Sequence, residues 1–132
     1  MTSRVPNMHV IYPTTASNYF HALRRQMKRN YRKPLIVISP KTLLRLPEAQ
    51  TSLNELADPN ITFRAVYGDV DHPPNTPVEV LDKVKYVVLC SGKFYYNLRS
   101  EKVKQNRTDM AIIRVEVIFV TSHHICFTHY IN

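Results

Sequence analysis

Four consecutive apolar residues, Leu35-Ile36-Val37-Ile38, stand between Pro34 and Pro40, directly after a helix-spaced apolar stripe. No other feature of the sequence constrains the fold as much. A short, wholly apolar run bounded by prolines suits a strand covered on both faces, as in a parallel sheet, because a half-solvated strand would alternate. The stripe ahead of it, Tyr19, Leu23 and Met27 at i, i+4 and i+8 with Phe20 beside them, predicts a helix over 17–30. Thr14 and Thr15 offer N-caps, since a hydroxyl oxygen can accept one of the first, otherwise unpartnered, backbone N–H groups. A short strand over 8–11, closed by Pro13, precedes them. Helix thus feeds buried strand.

Further along, Ala49, Leu53 and Leu56 have helical spacing after Pro47, and Asp58-Pro59 ends that helix. Residues 63–67 alternate weakly, as a strand would. Gly68, Pro73, Pro74, Asn75 and Pro77 mark a connector. The pattern then restarts. Tyr86-Val87-Val88-Leu89-Cys90 predicts a buried strand and Ser91-Gly92-Lys93 a tight turn. Residues 94–105 predict a helix with Phe94, Leu98 and Val103 inward, and Met110-Ala111-Ile112-Ile113 a second strand. Strand, helix, strand with short connections is the unit of a parallel sheet. The predicted fold class is therefore α/β, in two incomplete parallel-sheet units: a first unit over 1–67, a linker over 68–83, a second unit over 84–116, and a divergent tail over 117–132. Strands at 35–38 and 86–89 would then present unpaired edges, which favour aggregation or pairing with another chain, so weak stability is expected in isolation.

Two glycines in 132 residues argue against a Gly-rich phosphate loop, which needs backbone free to approach its ligand. The formal charge of +8 is uneven: Arg24, Arg25, Lys28, Arg29, Arg32 and Lys33 follow one another with no acid among them. Such a run attracts phosphates, acidic partners or anionic surfaces, or simply places cations at the negative end of a helix. Two cysteines, Cys90 and Cys126, make no disulfide framework, and Cys90, ending an apolar run, reads as a buried reduced thiol. No stretch approaches the ~18 apolar residues that span a bilayer, and no targeting segment is recognisable at the start.

The Cys90-Ser91-Gly92-Lys93 turn lies between strand and helix, where anions commonly meet free N–H groups, but it lacks the spacing of a P-loop. It reads as a structural turn or as an anion or acyl-CoA-type effector site, for which Ser91, Lys93 and Arg114 are the candidates. His123, His124, Cys126 and His129 are metal ligands by type, yet all lie within seven residues with no second pair, so no metal site is assigned. His9 and His21 have no acid or serine partner at readable spacing. No nucleophile–base arrangement can be assembled, and no catalytic residue is assigned. Tyr19, Phe20 and Tyr31 lie near the basic run, but the first two share the helix stripe and read as core rather than as base-stacking residues, making nucleic acid an unfavoured partner.

Several ordered motifs carry a resemblance. Asn7-Met8-His9-Val10, Pro13-Thr14-Thr15, and Tyr19-Phe20-His21-Ala22-Leu23-Arg24-Arg25-Gln26 resemble the late part of the pyrimidine-binding domain of 2-oxoglutarate dehydrogenase-type E1 enzymes. Arg32-Lys33-Pro34-Leu35-Ile36-Val37, Ser39-Pro40-Lys41 and Leu43-Leu44-Arg45 continue it in order. Cys90-Ser91-Gly92-Lys93, Tyr95-Tyr96 and Ala111-Ile112-Ile113-Arg114-Val115-Glu116 are similar to the start of that family's C-terminal domain. Arg25-Gln26-Met27, Leu44-Arg45-Leu46-Pro47 and Ile112-Ile113-Arg114-Val115-Glu116 look closer to the 2-oxoadipate branch. The 2-oxoglutarate branch often has histidine where Leu46 stands. From Val117 onward the sequence departs from the family pattern, and both ends suggest an incomplete gene model or a truncated isoform.

The resemblance implies a mitochondrial-matrix enzyme of 2-oxoacid breakdown that uses thiamine diphosphate and Mg2+, works as an E1 homodimer and passes its acyl group to a lipoyl-bearing E2. The cofactor carries that chemistry, while protein supplies positioning. The family's catalytic residues lie upstream of the matched motifs, so this chain is expected neither to bind the cofactor nor to turn over substrate by itself. Two other readings compete: a non-catalytic module that docks on a full-length E1, and a basic anion- or nucleic-acid-binding protein that uses the cations of 24–33.

Overall fold

The computed structural model describes residues 7–118. Chain order is β1 (His9–Ile11), α1 (Ala16–Lys28), β2 (Leu35–Val37), 3-10 turns at Lys41–Arg45 and Pro47–Ala49, α2 (Leu53–Ala57), β3 (Val66–Tyr67), α3 (Val78–Leu81), β4 (Tyr86–Cys90), α4 (Phe94–Lys104), β5 (Met110–Val115) and β6 (Val117–Ile118). The architecture is α/β, with two three-stranded sheets in the orders β2-β1-β6 and β3-β5-β4.

Each sheet is founded on one parallel pair, β1 with β2 and β4 with β5, joined by a strand–helix–strand connection as the sequence predicts. Each also gains an antiparallel strand from the other half of the chain, which sequence pattern did not reveal. β3 pairs with β5, placing Tyr67 opposite Arg114, and β6 pairs with β1, placing Val117 opposite Ile11. The stretch from β5 to β6 therefore leaves one sheet and enters the other. Glu116, between them, donates its N–H to Ala65 O and accepts from Tyr12 N at its carbonyl, both at 2.8 Å. Ile11, Ala22 and Val117 form one small core, with Leu35, Val37 and Phe63 against it. Cys90, Tyr95 and Ile112 form the other, with Tyr96, Leu98 and Met110.

Burial differs from the apolar pattern in an instructive way. The stripe of α1 faces outward: Tyr19, Leu23 and Met27 are exposed, Met27 by 73%, whereas Ser17, Asn18, His21 and Ala22 are buried. The helix docks through its polar side because that side finds partners. Thr51 Oγ1 accepts from Ser17 N at 3.0 Å, and the Asn18 carboxamide both donates to and accepts from the backbone of Arg64 at 2.9 Å. The two apolar runs expected to be covered on both faces are open on one. Ile36 and Ile38 are exposed, as are Val87 (61%) and Leu89. Among the described residues β2 and β4 are edges, paired on one side only. In α4 Leu98 packs against the core as expected, but Tyr95 and Lys102 are the buried residues, while Phe94 and Val103 are exposed. The 68–83 connector holds a one-turn helix, α3, started by Pro77 at its N-cap.

Of the two threonines offered as caps, Thr15 takes the role, its Oγ1 accepting from Asn18 N at 3.2 Å. Thr15→Ala is expected to lower stability by about 1 kcal/mol. A urea titration reads this directly, and an unchanged midpoint would show that α1 is held by its tertiary contacts alone.

Candidate functional site

Alternation along β5 and its extension turns Ile112, Arg114 and Glu116 to one buried side. Arg114 stands opposite Cys90 in the parallel register and opposite Tyr67 in the antiparallel one, so it enters the space where the two units meet. Its guanidinium lies between two rings, 4.5 Å from the centroid of Tyr67 and 4.2 Å from that of Tyr95. This stacking suits the planar, weakly hydrated arginine head. Arg114 Nη1 donates to Thr14 Oγ1 at 2.8 Å. The Thr14 hydroxyl in turn donates to Glu116 Oε1, and Asn18 Nδ2 donates to Glu116 Oε2. A chain of polar contacts thus runs Arg114–Thr14–Glu116–Asn18, drawn from β1's outlet, α1 and the end of β5.

Glu116 is wholly buried. Burial pushes its carboxyl above the ordinary range, while the hydrogen bonds from Thr14 and Asn18 and the positive field of Arg114 act the other way. Burial likewise raises the Tyr67 phenol and lifts that of Tyr96 to about 12. Tyr96 Oη donates to Thr14 O at 2.7 Å, a further tie between the halves. Burial raises the Cys90 thiol against the pull of Arg114, so it stays a protonated, unreactive thiol at neutral pH.

The turn after β4 presses on the first unit. Gly92 has φ +62°, and a Cβ there would lie 2.1 Å from Tyr12 Cε1. Glycine alone supplies both the left-handed backbone and the room. Tyr95 N and Tyr96 N then donate to Gly92 O and Lys93 O, at 3.2 and 3.0 Å, which opens α4.

Of the three residues proposed for an anion or effector site, Arg114 is buried and engaged as above, and Ser91 Oγ is buried without a hydrogen-bond partner among the described residues. Lys93 is exposed, at the start of α4. The strand register brings Arg114 beside the turn, but no hydrogen bond links Lys93 to Ser91 or Arg114 among the described residues. His123, His124, Cys126 and His129 lie outside the described residues, within which no group of three or more His, Cys, Asp or Glu could hold a metal ion.

A second polar cluster escaped the sequence reading. Lys102 Nζ donates to Asp71 Oδ2 at 2.6 Å and to Asp69 Oδ2 at 3.1 Å, and His72 Nδ1 lies 2.6 Å from the same Asp69 oxygen. Burial works to lower the Lys102 ammonium, but the hydrogen bonds to Asp71 and Asp69 outweigh it and the group is raised. The hydrogen bond from Lys102 holds Asp71 below the usual carboxylate range. These contacts fasten the start of the connector onto α4. A signal for them existed in the three titratable residues at 69–72, which is unusual in a stretch otherwise rich in turn formers. For Glu116 the signal was an acid two residues after Arg114 in a run whose other residues, 110–118, are apolar.

Neither cluster pairs a nucleophile with a base. Both are arranged to hold segments together. Among the described residues no helix is long and apolar enough to cross a membrane.

Residues 50–124 match the family model described as 2-oxoglutarate dehydrogenase C-terminal, and residues 1–47 match that of the transketolase pyrimidine binding domain. The chain is 53% identical over 112 residues to the 2-oxoadipate dehydrogenase complex component E1 of Homo sapiens, covering 83% of this chain and 11% of that protein. It is 50% identical over 112 residues to a probable homologue of that component in Dictyostelium discoideum, covering 85% of this chain and 12% of that one. Against the 2-oxoglutarate dehydrogenase E1 component of Brucella anthropi, identity is 44% over 115 residues, covering 86% and 12%. The chain therefore spans about an eighth or less of the length of these relatives.

Proposed function

Since the chain belongs to the family of 2-oxoglutarate dehydrogenase-type E1 components, we propose that it is the segment tying the end of a pyrimidine-binding domain to the start of the C-terminal domain in such an enzyme. The parent enzyme would decarboxylate a 2-oxoacid, 2-oxoadipate in preference to 2-oxoglutarate, and pass the acyl group to lipoamide on an E2 partner. It would do so as a homodimer in the mitochondrial matrix. Identity near one half with relatives named for 2-oxoadipate supports the substrate choice.

The single observation that carries the reading is the crossed strand pairing. β6, within the 50–124 match, pairs with β1, within the 1–47 match, and so completes the first sheet. A segment that interlocks two domains in this way sets their relative position, and positioning is what protein contributes to a cofactor-borne reaction. Thiamine diphosphate and Mg2+ would supply the carbanion chemistry. The residues described here do not fit that group, because they offer no set of ligands for the ion. No step is assigned to it on this chain.

The test is a chimera in which these residues replace the corresponding stretch of the human relative. It should keep thiamine-dependent turnover of 2-oxoadipate within about threefold, while the 132-residue chain alone should give none. Turnover by the isolated chain would overturn the reading, as would a folded chimera that binds cofactor yet fails to act on either 2-oxoacid. The effector reading of the Cys90–Lys93 turn deepens this proposal through Ser91, Lys93 and Arg114. Lys93→Gln in the same chimera should then abolish any response to an added acyl-CoA while leaving basal turnover unchanged.

A further inference from the structure

On the side of α1 away from its outward stripe lies a groove of about 370 Å3 between the helix and Phe63. Four cations line it, Arg24, Arg25, Lys28 and Arg29, together with His21, and no acid does. Among the described residues no ion pair reaches any of the four. His21 is 98% buried, and neither of its ring nitrogens has a hydrogen-bond partner there; Arg29 Nη1 is likewise buried and unpartnered. Buried polar atoms are nearly always satisfied, so three orphans on one lining, at least two of them donors, mark a place where a hydrogen-bonding ligand belongs.

We propose that this groove binds the phosphoryl group of a small phosphorylated molecule. The inference stands apart from the E1 reading and does not need it. The Arg25 guanidinium is fixed in place, 3.8 Å over the centroid of Phe63, so it meets a ligand already oriented. Arg24, Arg25 and Arg29 are only partly exposed, unlike the freely solvated cations of an ordinary helix end. The carbonyls at the C-terminus of α1 carry roughly half a negative charge and cannot offset four cations. Burial, and after it the neighbouring Arg29, disfavour the charged form of Arg25, and no acid on the lining offsets that positive field. An anion with several acceptor oxygens relieves that field and satisfies the orphaned donors together. The groove has the volume of a small-molecule site, of about 300 Å3 upward. His21 and Arg29 Nη1 lie buried in its wall and Phe63 is covered by Arg25, whereas a nucleic acid would need an open, aromatic-lined track.

The probe is inorganic pyrophosphate, titrated calorimetrically into the whole chain at low ionic strength, with the His21 ring resonances followed in parallel by NMR. We expect saturable binding that perturbs those resonances and weakens about tenfold or more in Arg24→Gln/Lys28→Gln. The control Lys41→Gln/Arg45→Gln removes the same charge from an exposed turn and should leave affinity within about twofold. A circular-dichroism spectrum establishes that each variant is folded. Absence of saturable binding to the folded chain overturns the proposal. Equal weakening by the control does so too, since it would mean diffuse attraction. Binding of a hexaglutamate peptide or a single-stranded oligonucleotide without binding of pyrophosphate would make the groove a macromolecular docking surface and equally overturn it.

Discussion

Glu116→Ala is expected to destabilise the fold by about 3–5 kcal/mol, enough to unfold much of the population of a chain this small. The carboxylate is the sole acceptor described for the Thr14 hydroxyl, and it takes a hydrogen bond from the Asn18 carboxamide. Its charge is the nearest described compensation for the stacked Arg114 guanidinium. Alanine leaves the Thr14 hydroxyl and the Asn18 carboxamide without this acceptor, and Arg114 keeps only its hydrogen bond to Thr14 and its two rings. Urea midpoints for the wild type and the variant measure the loss, and a change under about 1 kcal/mol would mean the network contributes no tertiary hold.

Glutamine separates shape from charge at the same position. Burial raises the Glu116 carboxyl, so the folded chain keeps that proton to a higher pH than the unfolded chain does. The sign follows from linkage. Stability associated with this group is full below its ordinary value of 4.5 and falls as pH rises through the higher folded value. Glu116→Gln should therefore flatten the decline in stability as pH rises above the ordinary carboxyl value of 4.5. A slope identical to the wild type's across that window would show that Glu116 is not the group responsible.

Gly92→Ala should cost about 2–5 kcal/mol by two separable routes. A non-glycine residue at φ +62° carries a backbone penalty of roughly 1–2 kcal/mol. The added methyl also has to displace the Tyr12 ring, an overpacking worth about 1–3 kcal/mol. Tyr12→Ala in the same chain removes only the second part. A double-mutant cycle should therefore give a coupling of about 1–3 kcal/mol, with the backbone part left behind. Zero coupling would mean that the ring swings aside freely and that the two units are not pressed together at this turn.

How far the sequence foretold this structure depends on what each signal measures. Punctuation was reliable. Pro34, Pro40, the Asp58-Pro59 pair and the Ser91-Gly92-Lys93 turn bound elements close to where the structure has them, because they act through the local backbone. The strand–helix–strand unit of β4, α4 and β5 was legible for the same reason. Periodicity was less informative than it looked. It located the apolar side of α1 correctly, but which side is covered depends on what lies opposite, and here Thr51, Arg64 and Glu116 draw the polar side inward. The weak alternation at 63–67 did mark β3, but its antiparallel pairing with β5 and the whole of β6 were invisible, because two residues each are too short to show a partner. Of the polar network, Arg114 was singled out from the sequence, as an effector-site candidate and not for the hydrogen bond it makes. Thr14, Asn18 and Glu116 were not, since nothing in the spacing of a threonine, an asparagine and a glutamate about a hundred residues apart indicates that they share hydrogen bonds.

The handover from β5 to β6 sets how this molecule can come apart. A fault that frees β5 strips its sheet of the central strand and pulls at β6 a residue later, so damage cannot be confined to one side. Amide hydrogens of Ile11 and Ile112, in different cores, should consequently exchange with solvent through the same opening event and with similar protection. Cleavage of the backbone at residue 116 would cut that handover, leaving β6 held to β1 by its pairing alone while Tyr96 and Arg114 still tie the two units through Thr14.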